Sequence, residues 1–140
     1  MIKPRISSGL ICILMSITLA GCSGDNEGME HMHAAADSSM TPIKVKLSWS
    51  PEDVAVHDKV SFKAVVSQDG KPVNDAKEVL FEITDTSGGG KRIELKGKSN
   101  GDGAYVSETT FEQAGKYSVT SHVTARTQHS MPSKELVVQP

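Results

Sequence analysis

From Ile43 to Val138 the apolar residues of this chain return at every second position between turn signals, and no long stretch has helical spacing. A period of two puts successive side chains on opposite faces of an extended strand, so one face can be buried while the other meets water. Ile43, Val45 and Leu47 alternate with Lys44, Lys46 and Ser48, and Val60, Phe62, Ala64 and Val66 form the clearest run. Val79, Phe81 and Ile83 make another, followed by Ile93 and Leu95, Tyr105 to Phe111, Tyr117 with Val119 and Val123, and Leu136 to Val138. Turn chemistry separates them at Gln68-Asp69-Gly70, Ser87 to Gly90, Asn100 to Gly103 and Gln113-Ala114-Gly115. About seven strands in roughly 100 residues predict an all-β, immunoglobulin-like antiparallel sandwich, with a small closed barrel as the alternative. There is no internal repeat. Ala114-Gly115-Lys116-Tyr117 fits the start of a sandwich's penultimate strand, where Tyr117 is either a tyrosine corner or an ordinary core residue.

The first 21 residues read as an export signal and stand outside fold reasoning. Lys3 and Arg5 supply a positive start, and Leu10 to Leu19 is almost wholly apolar. Leu19-Ala20-Gly21-Cys22 then resembles the bacterial lipoprotein signal, which implies cleavage before Cys22 and a lipid on its thiol. The apolar run falls short of the roughly 20 residues of a comfortable membrane span, and the alternative is an uncleaved anchor helix. Either arrangement puts the rest of the chain outside the cytoplasm, attached to the bacterial cell membrane. Residues 22–41 are rich in Gly, Ser, Asp, Ala and Met without periodicity and read as a lipid-anchored flexible tether. Pro42 marks the boundary, and residues 42–140 form the β-domain.

Cysteine arithmetic limits the chemistry. Cys12 would leave with the signal and Cys22 would carry lipid, so the mature chain has neither a disulfide nor a thiolate to offer. Stability must come from a packed core, and a metal site must be built from other donors. The mature chain of 119 residues carries 13 basic against 17 acidic side chains and six aromatic residues. With no basic patch, nucleic-acid binding has no electrostatic basis, and docking on anionic lipid beyond the anchor has none either.

Within that chain, eight of the nine His and Met residues fall in two stretches. One is Met29, His31, Met32, His33 and Met40 in the tether; the other is His122, His129 and Met131 near the C-terminus. Thioether and imidazole together suit a soft, cuprous ion better than zinc, which takes thioether poorly. On the strand beginning near Lys116, Tyr117, Val119 and Val123 share one face, so His122 faces the other way with Ser118, Thr120 and Thr124. If the hairpin turns at Arg126-Thr127, His122 stands opposite Met131 and Thr124 opposite His129, with opposed Cβ atoms roughly 5 Å apart. Pro132 is expected to impose a bulge or an edge there. The competing account is a partly exposed polar strand, with Met131 capping the core under a loop. The tether cluster would form a second, looser metal site, or is a tether of mixed composition. His57, in Val56-His57-Asp58-Lys59, reads as a solvated loop histidine.

Other patterns fail on inspection. Gly88-Gly89-Gly90-Lys91 lacks the first glycine of a phosphate loop, because Asp85 stands there, and Arg92 follows where Ser or Thr is required. Asn100-Gly101-Asp102-Gly103 puts Ala104 at the next calcium-ligand position and has no closing acidic residue. No Gly-x-Ser-x-Gly elbow and no thiol nucleophile exist, so an enzyme is not expected.

The span from about Trp49 to Val138 resembles the YtkA-like domains, relatives of the FixH proteins. The matching stretches are Gly70-Lys71-Pro72-Val73-Asn74-Asp75-Ala76, Gly101-Asp102-Gly103-Ala104-Tyr105, Gly115-Lys116-Tyr117-Ser118-Val119, and His122-Val123 with His129-Ser130-Met131-Pro132. The resemblance implies a membrane-attached immunoglobulin-like sandwich in bacteria that handle copper or assemble haem–copper oxidases. Members often carry a second Met or His just before the position of His129, where this chain has Gln128. The expected function is therefore binding of cuprous copper through His122, His129 and Met131 and its delivery, with a cytochrome oxidase copper centre as the implied acceptor. A non-catalytic adaptor of a membrane-associated complex, with no metal of its own, is the alternative.

Overall fold

The computed structural model describes residues 41–140. The signal segment, Cys22 and the tether residues Met29, His31, Met32, His33 and Met40 lie outside the described residues. Each of the seven apolar alternations forms a strand. They are β1 (Lys44–Ser50), β3 (Lys59–Gln68), β5 (Glu78–Asp85), β6 (Arg92–Lys96), β8 (Ala104–Thr110), β9 (Gly115–Ala125) and β11 (Ser133–Gln139). Four short strands lacking an alternating pattern join them: β2 (Val54–Ala55), β4 (Lys71–Pro72), β7 (Lys98–Ser99) and β10 (Gln128–Ser130). Backbone pairing alone makes these, and both residues of β4 and of β7 are exposed.

Two separate sheets result, so the closed barrel is ruled out. One runs β1-β3-β8-β7 with β4 against β3; the other runs β2-β11-β9-β5-β6 with β10 against β9. The main strands pair antiparallel, and β2 lies parallel to β11. This is the division of strands found in immunoglobulin-type sandwiches. The inner faces carry the alternating apolar residues, and rings bridge the layers. Phe62 on β3 meets Phe81 on β5 at 6.0 Å between centroids, and Phe111 meets Tyr117 at 4.8 Å. With no cysteine among the described residues, these contacts and the surrounding buried Val, Ile and Leu hold the sheets together.

Tyr117 forms the tyrosine corner: its hydroxyl donates to the carbonyl of Gln113 at 2.8 Å. Burial, and then the carboxylate of Asp85, push its pKa above the ordinary tyrosine value.

Two of the stretches that resemble YtkA-like domains clasp each other. The amide of Gly103 donates to Asn74 Oδ1 at 2.6 Å, and Tyr105 donates its hydroxyl proton to the Val73 carbonyl at 3.0 Å. The Ala76 amide donates back to the same hydroxyl at 3.0 Å. Gly103 has φ +72°, and a Cβ there would stand 2.4 Å from the Val66 carbonyl oxygen, so the close approach requires glycine. This clasp fixes the crossover from the β3 sheet to β5, and β5 is the strand that flanks β9.

Replacing Tyr105 with Phe removes both side-chain bonds from a site only 5% exposed. The expected cost is about 1–3 kcal/mol, read as a lower denaturation midpoint at unchanged m-value.

Candidate metal centre

β9 alternates strictly: Tyr117, Val119, Ser121, Val123 and Ala125 are buried, whereas Ser118, Thr120, His122 and Thr124 are half-buried on the outer face. Burial of the apolar set thereby turns His122 toward solvent. β10 returns along β9 through the Arg126-Thr127 turn, where Arg126 adopts φ 56°. His129 pairs with Thr124 and Ser130 with Val123. After Met131 and Pro132 the ladder resumes at Ser133 against Thr120, in the same register. Met131 therefore falls opposite His122, as the sequence suggests.

Pro132 introduces no bulge. Its carbonyl accepts from the Ser121 amide at 3.0 Å, and its ring nitrogen has no hydrogen to return, so the strand is interrupted without a slip. Ser121 Oγ is buried there without a hydrogen-bond partner.

The two imidazoles are neighbours, with ring centroids 6.2 Å apart and planes inclined at 45°. His129 Nδ1 lies 2.8 Å from Thr124 Oγ1, leaving its Nε2 for other partners. His122 Nε2 lies 3.0 Å from Glu82 Oε2. Met131 is 55% exposed, so it does not cap the core. Among the described residues no group of three or more His, Cys, Asp or Glu side chains is assembled for a metal.

His57 is not part of this cluster. It sits in the turn between β2 and β3 at φ 68°, its amide donating to the Phe111 carbonyl at 2.8 Å. That turn adjoins the Gly115 end of β9, because Val54 and Gly115 both pair with Val138. His122 lies seven residues along, roughly 23 Å of extended strand away. Gly88 to Gly90 belong to the turn between β5 and β6, and Asn100 to Gly103 to the turn between β7 and β8.

The structure adds residues that alternation alone does not single out. Glu82, on the outer face of β5, contacts His122 and is itself paired with Arg92 of β6, which also reaches Glu94 at 3.2 Å. Glu82 was visible as an outward position between Phe81 and Ile83, but its nearness to His122 depends on how β5 and β9 register across 40 residues. Gln128 grips the beginning of the domain. Its side chain accepts from the Ile43 amide at 2.7 Å and donates to the Thr41 carbonyl at 3.0 Å. Gln68 donates to the same carbonyl at 2.7 Å and accepts from Arg126. The point at which the domain takes up the preceding chain is therefore held by the immediate neighbour of His129.

Comparison with known proteins gives one clear relationship. Residues 37–122 match the family described as YtkA-like. The matched stretch ends at His122, so His129 and Met131 stand outside it. No curated protein is similar enough to count as a relative. Among solved structures, an alkylpurine DNA glycosylase from Pseudomonas fluorescens is 16% identical over 71% of this chain, with a TM-score of 0.49. This chain spans only 31% of that protein's length. A superoxide reductase (neelaredoxin) from Ignicoccus hospitalis is 10% identical over 70% of this chain and 80% of its own, with a TM-score of 0.45. Likenesses this distant carry no argument about activity.

Gln128→Ala should loosen the start of β1 without unfolding the sandwich. The Ile43 amide is expected to exchange with deuterium about tenfold faster or more, while the Val119 and Val123 amides keep their protection.

Proposed function

This chain belongs to the YtkA-like family, and from that premise we propose that it is an extracytoplasmic lipoprotein that binds cuprous copper and hands it to an acceptor protein. The observation that carries the reading is the pair of imidazoles, 6.2 Å apart on an outward face, with Met131 opposite His122 in the strand register. Copper is cargo here, not a resident cofactor. Two imidazoles and a thioether suit Cu(I), and the absence of thiolate keeps the hold modest. Exposure of Met131 favours exchange with a partner, since a fully enclosed ion would be trapped.

The tether contributes to the same task. Met29, His31, Met32, His33 and Met40 offer further soft donors, and the chain that carries them joins the domain at Thr41, which Gln128 grips beside His129. Gathering by the tether and holding by the face would be successive steps of one relay. The resemblance to FixH proteins directs the transfer toward a cytochrome oxidase copper centre.

Titration of the full-length protein in detergent with Cu(I), under reducing conditions, tests the binding. The wild type is expected to hold at least one ion more than the His122→Ala/His129→Ala/Met131→Ala variant. Uptake should weaken in acid, because imidazole binds only when neutral. Equal uptake by both proteins would reject the site and leave the metal-independent adaptor as the better account. Anchoring has its own check: Cys22→Ala should release the protein from membranes, and retention would mean that Leu10 to Leu19 is part of a true anchor helix.

A further inference from the structure

The outer face of β5 and β6 bears on the copper reading in a way that fixes which ring nitrogen is used. Glu82 and His122 are both largely sheltered, their side chains 20% and 23% exposed. Glu82 Oε2 stands 3.0 Å from His122 Nε2, and the same oxygen accepts from the guanidinium of Arg92. An ionised carboxylate has only acceptor sites, so the imidazole must be the donor in this contact. Donation from Nε2 leaves the lone pair of neutral His122 on Nδ1.

We infer that Glu82 is a positioning residue: it locks His122 in the tautomer with hydrogen on Nε2 and presents Nδ1 as the copper donor. The inference rests on the proposed copper site and adds to it the ligating atom and the residue that selects it. Arg92 serves the same end by keeping the carboxylate from swinging away. A carboxylate behind a ligating histidine orients the ring and raises its basicity, and losing such a partner typically weakens metal binding about 10–100-fold. His129 is arranged the other way round. Its Nδ1 is engaged by Thr124, which leaves Nε2 as the free nitrogen of that ring, so the nitrogens left available are unlike: Nδ1 on His122 and Nε2 on His129.

Nitrogen NMR of full-length protein labelled with ¹⁵N-histidine, in detergent, reads this directly. Without metal, His122 should show a protonated Nε2 in the wild type, and this preference should be lost in Glu82→Gln. With Cu(I) added, Nδ1 of His122 should shift strongly while Nε2 keeps its proton. Glu82→Gln should bind Cu(I) about tenfold or more weakly, with an unchanged β-sheet circular dichroism spectrum showing that the fold is intact. A metal-free wild type protonated on Nδ1, a copper-induced shift at Nε2, or undiminished affinity in Glu82→Gln would each overturn the positioning role while leaving the copper site standing. A wild type in which Cu(I) perturbs neither nitrogen of His122 would overturn both.

Discussion

Everything about the candidate site depends on the parity of β9. Within a strand, neighbouring side chains face opposite ways, and the five inward positions from Tyr117 to Ala125 are fixed by burial. A slip of one residue would expose Val119 and Val123 and drive His122 into the core. The core, at a cost of several kcal/mol for such an inversion, therefore holds His122 outward as firmly as it holds itself. Because β9 is central in its sheet, with β5 on one side and β10 and β11 on the other, both of its neighbours inherit that parity.

The scaffold separates stability from chemistry. Rings and branched aliphatic residues between the sheets hold the sandwich together without a disulfide, since residues 41–140 contain no cysteine. The clasp joining Asn74, Gly103 and Tyr105 is assembled from two family-like stretches and carries no chemistry of its own. It ties down the crossover into β5, and β5 delivers Glu82 to His122. These family-like stretches thus serve the frame, while His122, His129 and Met131 stand on the outer face of the other sheet.

Much of this was readable beforehand, for a physical reason. Alternation reports burial directly, so the seven principal strands and the outward direction of His122 follow from composition along the chain. The pairing of His129 with Thr124 was also accessible, because a two-residue turn at Arg126-Thr127 leaves a single close register. Expectations failed or fell short where backbone bonding acts without side-chain pattern. Of the two outcomes expected at Pro132, the edge is found and the bulge is not: β10 has β9 as its one partner strand among the described residues, and the register continues past Pro132 because its carbonyl still accepts from Ser121. The short strands β2, β4, β7 and β10 have too few residues to show a period.

The sequence by itself determined the class of fold, the strand faces and the kinds of donor available, because each depends on local spacing or on residue type. Only the tertiary structure decided which distant residues meet. Glu82 and His122 are 40 positions apart, Gln128 and Ile43 are 85 apart, and hydrophobic alternation is indifferent to which strand becomes whose neighbour. Those pairings come from the order of strands in the sheet and from hydrogen-bond register, neither of which any single segment encodes.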